Sequence, residues 1–143
     1  MTNQNMYNQI LNQLYEYSNN CINVREDRNL QIPAFSTIEK DIYGRYIPVV
    51  LVNTKLIPNN INIIAHILSH EWGHHVLRHM DMEQSAVFKQ EDINDIQEKE
   101  NEADLYAANF IKEYSYDIDH IKSFMKEHPG DLENRLHILQ SVY

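Results

Sequence analysis

Between Asn5 and Tyr17 the apolar residues Met6, Ile10, Leu11, Leu14 and Tyr15 recur at steps of three and four. That is the period of an amphipathic helix, and its plain meaning is packing against a core. The next stretch, "NVREDRN" (Asn23 to Asn29), is charged and reads as a connector. The pattern then changes. "IPAFSTIEKDIYGRYIPVVLVN" is rich in β-branched and aromatic residues and is punctuated by Pro33, Gly44 and Pro48. It predicts two or three strands with a turn near Gly44. Pro48 cannot donate to a ladder, so it marks an edge or a strand entrance.

"PNN" (Pro58 to Asn60) opens a helix, with Asn59 or Asn60 as its cap. The helix runs from Ile61 to about Met80, and Ile63, Ile64, Ile67, Leu68, Trp72, Val76, Leu77 and Met80 spread around most of its cylinder. A helix apolar on so many sides is central and largely buried. "DMEQSAVFKQEDIND" reads as a connector with room for a short helix. A second long helix spans about Asp92 to Tyr114 and a third lies near Ile118 to Lys126. "HPGD" (His128 to Asp131) breaks the pattern, and Asp131 caps a last helix with Leu132, Leu136 and Leu139 inward. The expected fold class is α+β, mainly helical, with a small sheet packed beside the helix that follows Asn60.

A length of 143 residues fits one domain over 1–143. Apolar residues make up 43% of it, enough to build a core. The formal net charge of -9 repels phosphate backbones, so nucleic acid is not an expected partner. Cys21 is the single cysteine, which excludes a disulfide within the chain and suits a reducing compartment. The opening residues lack a secretory pattern, and the longest apolar run, "YIPVVLV", falls far short of a membrane span. The expected setting is the cytoplasm, without a membrane.

Chemistry concentrates in "LSHEWGHHVLRH" (Leu68 to His79). His70, Glu71 and His74 form H-E-x-x-H, and residues four apart lie one above the other on a helix. Two imidazoles so placed can converge on one cation, with Glu71 beside it to take a proton from bound water. His66 with His70 and His75 with His79 repeat the spacing without the glutamate. These extra histidines read as partly exposed or hydrogen-bonded in the core. A catalytic zinc wants a third protein ligand. In the second long helix Ile93, Ile96, Glu100, Ala103, Ala107 and Phe110 or Ile111 form the inward stripe, with Glu100 in its middle. A carboxylate there is costly unless a positive charge meets it, and zinc answers that need. Glu98 and Glu102 read as a solvated face. Asp104, one turn beyond Glu100, is placed to accept from a ring nitrogen of His70 or His74 and orient it. Ala103 and Ala107 allow a close helix approach. Gly73 costs about 1 kcal/mol in a helix interior, so clearance is its expected use.

"HEWGH" followed by "ENEADLYAANFI" resembles the ImmA/IrrE-type zinc metallopeptidases of phages and mobile elements, over roughly Ile47 to Lys112. The resemblance implies a minimal zincin-like, gluzincin-like domain. In it His70, His74 and Glu100 bind Zn2+ and Glu71 is the catalytic general base. It implies a cytoplasmic protein substrate, of which transcriptional repressors are examples. The tail "EHPGDLENRLHIL" is similar to a segment of Ste24/HtpX-like membrane peptidases, but their membrane spans are missing here.

Three readings follow. The first is a zinc endopeptidase, with an oxyanion donor among Tyr106, Tyr114, Tyr116, His120 and Arg135 and with "PVVLV" holding substrate as an added strand. The second is a non-catalytic zinc-containing module that binds a regulator. The third is a helical domain whose histidines bind nothing.

Overall fold

In the computed structural model the described residues are 3–79, 93–127 and 132–143. Helix α1 covers Asn3–Ser18, and strands β1, β2 and β3 cover Asn23–Glu26, Ala34–Lys40 and Tyr46–Val52. Helices α2 (Ile61–Val76), α3 (Ile93–Glu113), α4 (Ile118–Glu127) and α5 (Leu132–Ser141) are the other helices among the described residues, with a 3-10 turn at Thr54–Leu56. The molecule is α+β and mainly helical, as the periodicities predict. No helix among the described residues is long and apolar enough to cross a membrane.

The sheet has the order β1-β3-β2, with β1 parallel and β2 antiparallel to β3. Two expectations change here. Asn23–Glu26 is an edge strand rather than a connector, and Pro48 lies inside the central strand. The register explains the proline. β1 pairs only with Val49 to Val52, so at Pro48 one side of β3 is still open. Because both sides of Val49–Val52 are paired, those four residues of "PVVLV" have no edge to lend to another chain. The β2–β3 turn takes the predicted place. Asp41 Oδ1 accepts from the amides of Tyr43 and Arg45 at 2.8 and 2.9 Å, and Gly44 supplies the positive φ of 78°.

Helix α2 is the axis of the fold, touching α1, α3, α4, β2 and β3. Its cap is Asn60, whose side-chain oxygen accepts from Asn62 N at 2.9 Å and Ile63 N at 3.4 Å. Ile63, Ile64, Ile67, Leu68 and Trp72 are all buried. Against them lie Ile10 and Leu14 of α1, Val50 and Val52 of β3, Phe110 and Ile111 of α3, Ile121 and Met125 of α4, and Leu139 of α5. Each fully buried Leu, Ile or Phe of this set contributes about 1.5–3 kcal/mol. In α1 the buried aromatic is Tyr7, and Tyr15, expected inward, is 54% exposed. Leu77 and Ile96 likewise turn outward. The Asp131 cap, Met80 and the connector over 81–92 lie outside the described residues.

Candidate metal centre

Two helices build the site. His70 and His74 project from the last two turns of α2, and Glu100 from α3. His70 Nε2 lies 3.0 Å from Glu100 Oε2, and His74 Nε2 lies 3.2 Å from Glu100 Oε1. Two ligands held by one tetrahedral zinc at about 2.0–2.1 Å sit roughly 3.3 Å apart. Each histidine nitrogen therefore stands from its own Glu100 oxygen at nearly the spacing that two ligands of one cation keep, and two imidazoles with a carboxylate suit zinc. Glu71 also comes close, since ligand atoms of His70, Glu71 and His74 lie within 4.8 Å of one another. Its carboxylate has another partner. The Ser36 hydroxyl, on β2, is 2.8 Å from Glu71 Oε2 and 3.0 Å from Glu71 O. Glu100, which meets both Nε2 atoms, is the better third ligand.

Glu100 departs from its expected surroundings. Its side chain is 48% exposed rather than sunk in an apolar stripe. The reason is position, because Ile96, the preceding member of that stripe, is itself exposed. Hydrogen bonds from His70 and His74 hold the Glu100 carboxyl well below the usual carboxylate range. Asp104, one turn on, is buried, with Oδ1 2.8 Å from His70 Nδ1. Burial alone would raise its pKa. The His70 hydrogen bond, with the charges of His70 and Arg135, outweighs that and lowers it. Arg135 Nε donates to Asp104 Oδ2 at 3.1 Å, so the arginine braces this carboxylate. For His70, burial opposes protonation. Hydrogen bonds to Asp104 and Glu100 prevail and push it up to about 10.

The remaining histidines divide by surroundings. His66 is buried, and burial pushes it down to about 3. His75 Nε2 donates to Val49 O at 3.0 Å, tying α2 to β3. His79 is the neighbour of His74 that spacing arguments missed, with Nδ1 2.9 Å from His74 Nδ1. It arrives there through the end of α2. The amide of Arg78 donates to His75 O and that of His79 to His74 O, at 3.1 and 2.8 Å. This is the paired closure of a Schellman cap, which places its left-handed residue at Arg78, φ 63°. Glycine is the usual occupant, and an L side chain there costs about 1–2 kcal/mol.

Gly73 has the predicted use, and the neighbour is Tyr106. A Cβ at Gly73 would lie 2.9 Å from Tyr106 Cδ1. The absent side chain lets the Tyr106 ring sit against α2 and sets the α2–α3 approach that brings Glu100 to the histidines. Of the other groups weighed as oxyanion donors, Tyr114 Oη donates to Gln13 O at 3.2 Å and Tyr116 Oη is occupied by Gln13 Oε1. His120 is exposed on α4.

One family model matches the chain, described as Nucleoporin Nup188, N-terminal subdomain III, over residues 1–113. No curated protein and no solved structure matches. This match overturns the resemblance to ImmA/IrrE-type metallopeptidases and the peptide hydrolase, protease and phage-element readings built on it. The repressor substrate goes with them. The general-base role of Glu71 belonged to that reading. The histidines, Glu100 and Asp104 keep their geometry, which is independent of it. By a match that takes in most of its length, α1 through α3, the chain belongs to the family described as Nucleoporin Nup188, N-terminal subdomain III.

Proposed function

We propose that this chain is a non-catalytic protein-interaction domain in which a zinc ion, held by His70, His74 and Glu100, clamps α2 to α3. The interaction half is supported by the family, since a nucleoporin is a constituent of a multiprotein assembly, the nuclear pore. The exposed apolar residues at the β2–β3 turn, Ile42 and Tyr43, are consistent with a protein partner. The zinc half rests on one observation, the meeting of both Nε2 atoms with the two oxygens of Glu100. With a single cysteine the chain cannot tie its helices by a disulfide, and a metal supplies a cross-link that survives in a reducing compartment.

Untagged protein should carry about one zinc per chain, removable by a chelator. At a hundred times its Kd the metal should stabilise the fold by about 2.7 kcal/mol, a rise in Tm of roughly 5–10 °C. A protein that co-elutes with the chain should remain uncut. No zinc and no shift in Tm would remove the clamp. Zinc-dependent cleavage of an unfolded protein substrate, lost in Glu71→Gln, would remove the non-catalytic half.

A further inference from the structure

We infer that His79 is a positioning residue for the cation site: it fixes the His74 ring with Nε2 toward Glu100, and cation binding turns its own far nitrogen into a donor to Glu102. The second half of this inference rests on the zinc reading above.

Two independent features support it. The first is backbone. In a Schellman cap the residue after the left-handed position folds back over the residue five earlier, commonly as an apolar pair. Here that pair is His79 on His74, with ring centroids 5.1 Å apart. The chain reaches this arrangement through a left-handed arginine instead of glycine. The second is hydrogen bonding. The two Nδ1 atoms are 2.9 Å apart, so one must donate and the other accept. The His79 side chain is 7% exposed, which leaves water little share in its bonding.

Both outer nitrogens face a carboxylate, and the shorter contact, His74 Nε2 to Glu100 Oε1 at 3.2 Å, takes the proton. Without a cation, Nε2–H donates to Glu100. His74 Nδ1 is then the acceptor, and the proton of His79 sits on Nδ1. His79 Nε2 is left with a lone pair facing a carboxylate, Glu102 Oε2, at 3.5 Å. That atom is buried and has no hydrogen-bond partner among the described residues. A cation on His74 Nε2 reverses the chain. His74 then carries its proton on Nδ1 and donates to His79 Nδ1. The proton between the rings would pass to His74 Nδ1, the one on His74 Nε2 would leave to solvent, and His79 would take one from solvent on Nε2, where it donates to Glu102. The rearrangement exchanges one pair of tautomers for the other, with solvent carrying the outer protons.

The two ligand histidines thus have unlike supports. His70 leans on a carboxylate braced by arginine, whereas His74 leans on a second imidazole that can accept or donate. An outer partner of a metal-bound histidine is worth about 10–100-fold in affinity.

The test uses the full chain with 15N-labelled histidine, in two-bond 1H–15N correlation spectra, together with zinc affinity by competition against a chromophoric chelator. Metal-free protein should show His74 as the Nε2–H tautomer and His79 as Nδ1–H, and zinc should exchange both. His79→Phe, which keeps a ring over His74, should weaken zinc roughly 10–100-fold. His79→Gln, whose amide can still bond to Nδ1, should recover part of that loss. Wild-type zinc affinity in His79→Phe, or tautomers that zinc leaves unchanged, would overturn the inference. If the wild-type chain binds no zinc, the clamp fails. The metal-free spectra then decide the positioning role, because a His74 tautomer mixture as sharp in wild type as in His79→Phe overturns it.

Discussion

Glu100 and Asp104 stand one turn apart on α3 and both reach His70, yet they live in different media. The Glu100 side chain is 48% exposed and the Asp104 side chain 4%. Water can solvate Glu100 when its histidines are absent or turned away. Nothing can do so for Asp104, which depends on His70 and Arg135. The exposed acid is therefore free to serve a ligand at small cost to the fold, while the buried one belongs to the fold itself. Proximity to a site does not say which of these a carboxylate does.

The sharpest way to break this contrast is truncation. Asp104→Ala leaves Arg135 and a buried His70 without their shared anion and should cost about 3–5 kcal/mol in denaturant unfolding. Glu100→Ala should change metal-free stability by no more than about 1 kcal/mol. It should cut zinc affinity by more than the 10–100-fold expected of an outer partner. Equal losses of stability in the two variants would erase the distinction. The next effect is on pH. His66, which feels the Asp104 charge, is depressed to about 3 in the fold against 6.5 in the unfolded chain. The unfolded state thus binds the extra proton, and stability falls as pH drops below 6.5. Between there and pH 5 this one group should cost roughly 2 kcal/mol. His70, held up at about 10 in the fold, works the other way and returns roughly 1 kcal/mol between pH 7 and 5, less than His66 loses, and the lowered carboxyls of Glu100 and Asp104 add losses at lower pH. A flat unfolding free energy from pH 7 to 5 would contradict a neutral buried His66. The smallest effect concerns the helix spacing on which both carboxylates depend. Gly73→Ala meets Tyr106 at 2.9 Å. Overpacking of about 1–3 kcal/mol, less about 1 kcal/mol of helix propensity, should leave a net loss near 1 kcal/mol. Adding Tyr106→Leu should reverse the sign, and a stabilising Gly73→Ala alone would show that α3 yields freely.

Much of this arrangement was legible before any coordinates. Asn60 as a cap, the four-residue histidine spacing, and Asp104 one turn from Glu100 are local relations that a helix enforces. The burial of Glu100 was not legible, because a periodic stripe says which side of α3 faces inward and not how far along it the core extends. β1 was hidden for a similar reason. Its burial pattern is exposed at Asn23, Arg25 and Glu26, so no apolar alternation announces a strand. His79 could have been found from its distance of five residues from His74, the spacing a Schellman cap closes. The glycine that usually advertises that cap is replaced by Arg78. The peptidase resemblance rested on a short motif pair, and the family match weighs residues 1–113 together.

The tie between Tyr114 Oη and the Gln13 carbonyl spans 101 residues. A second, from Gln9 to Tyr116, spans 107. Such contacts close most of the chain into one loop, and the entropy of that closure is set against the energy they return. Both tyrosines lie just past residue 113, as do Ile121, Phe124, Met125 and Leu139, so a fragment cut at the end of the matched stretch would lose the latch for its own N-terminal helix and a wall of its interior.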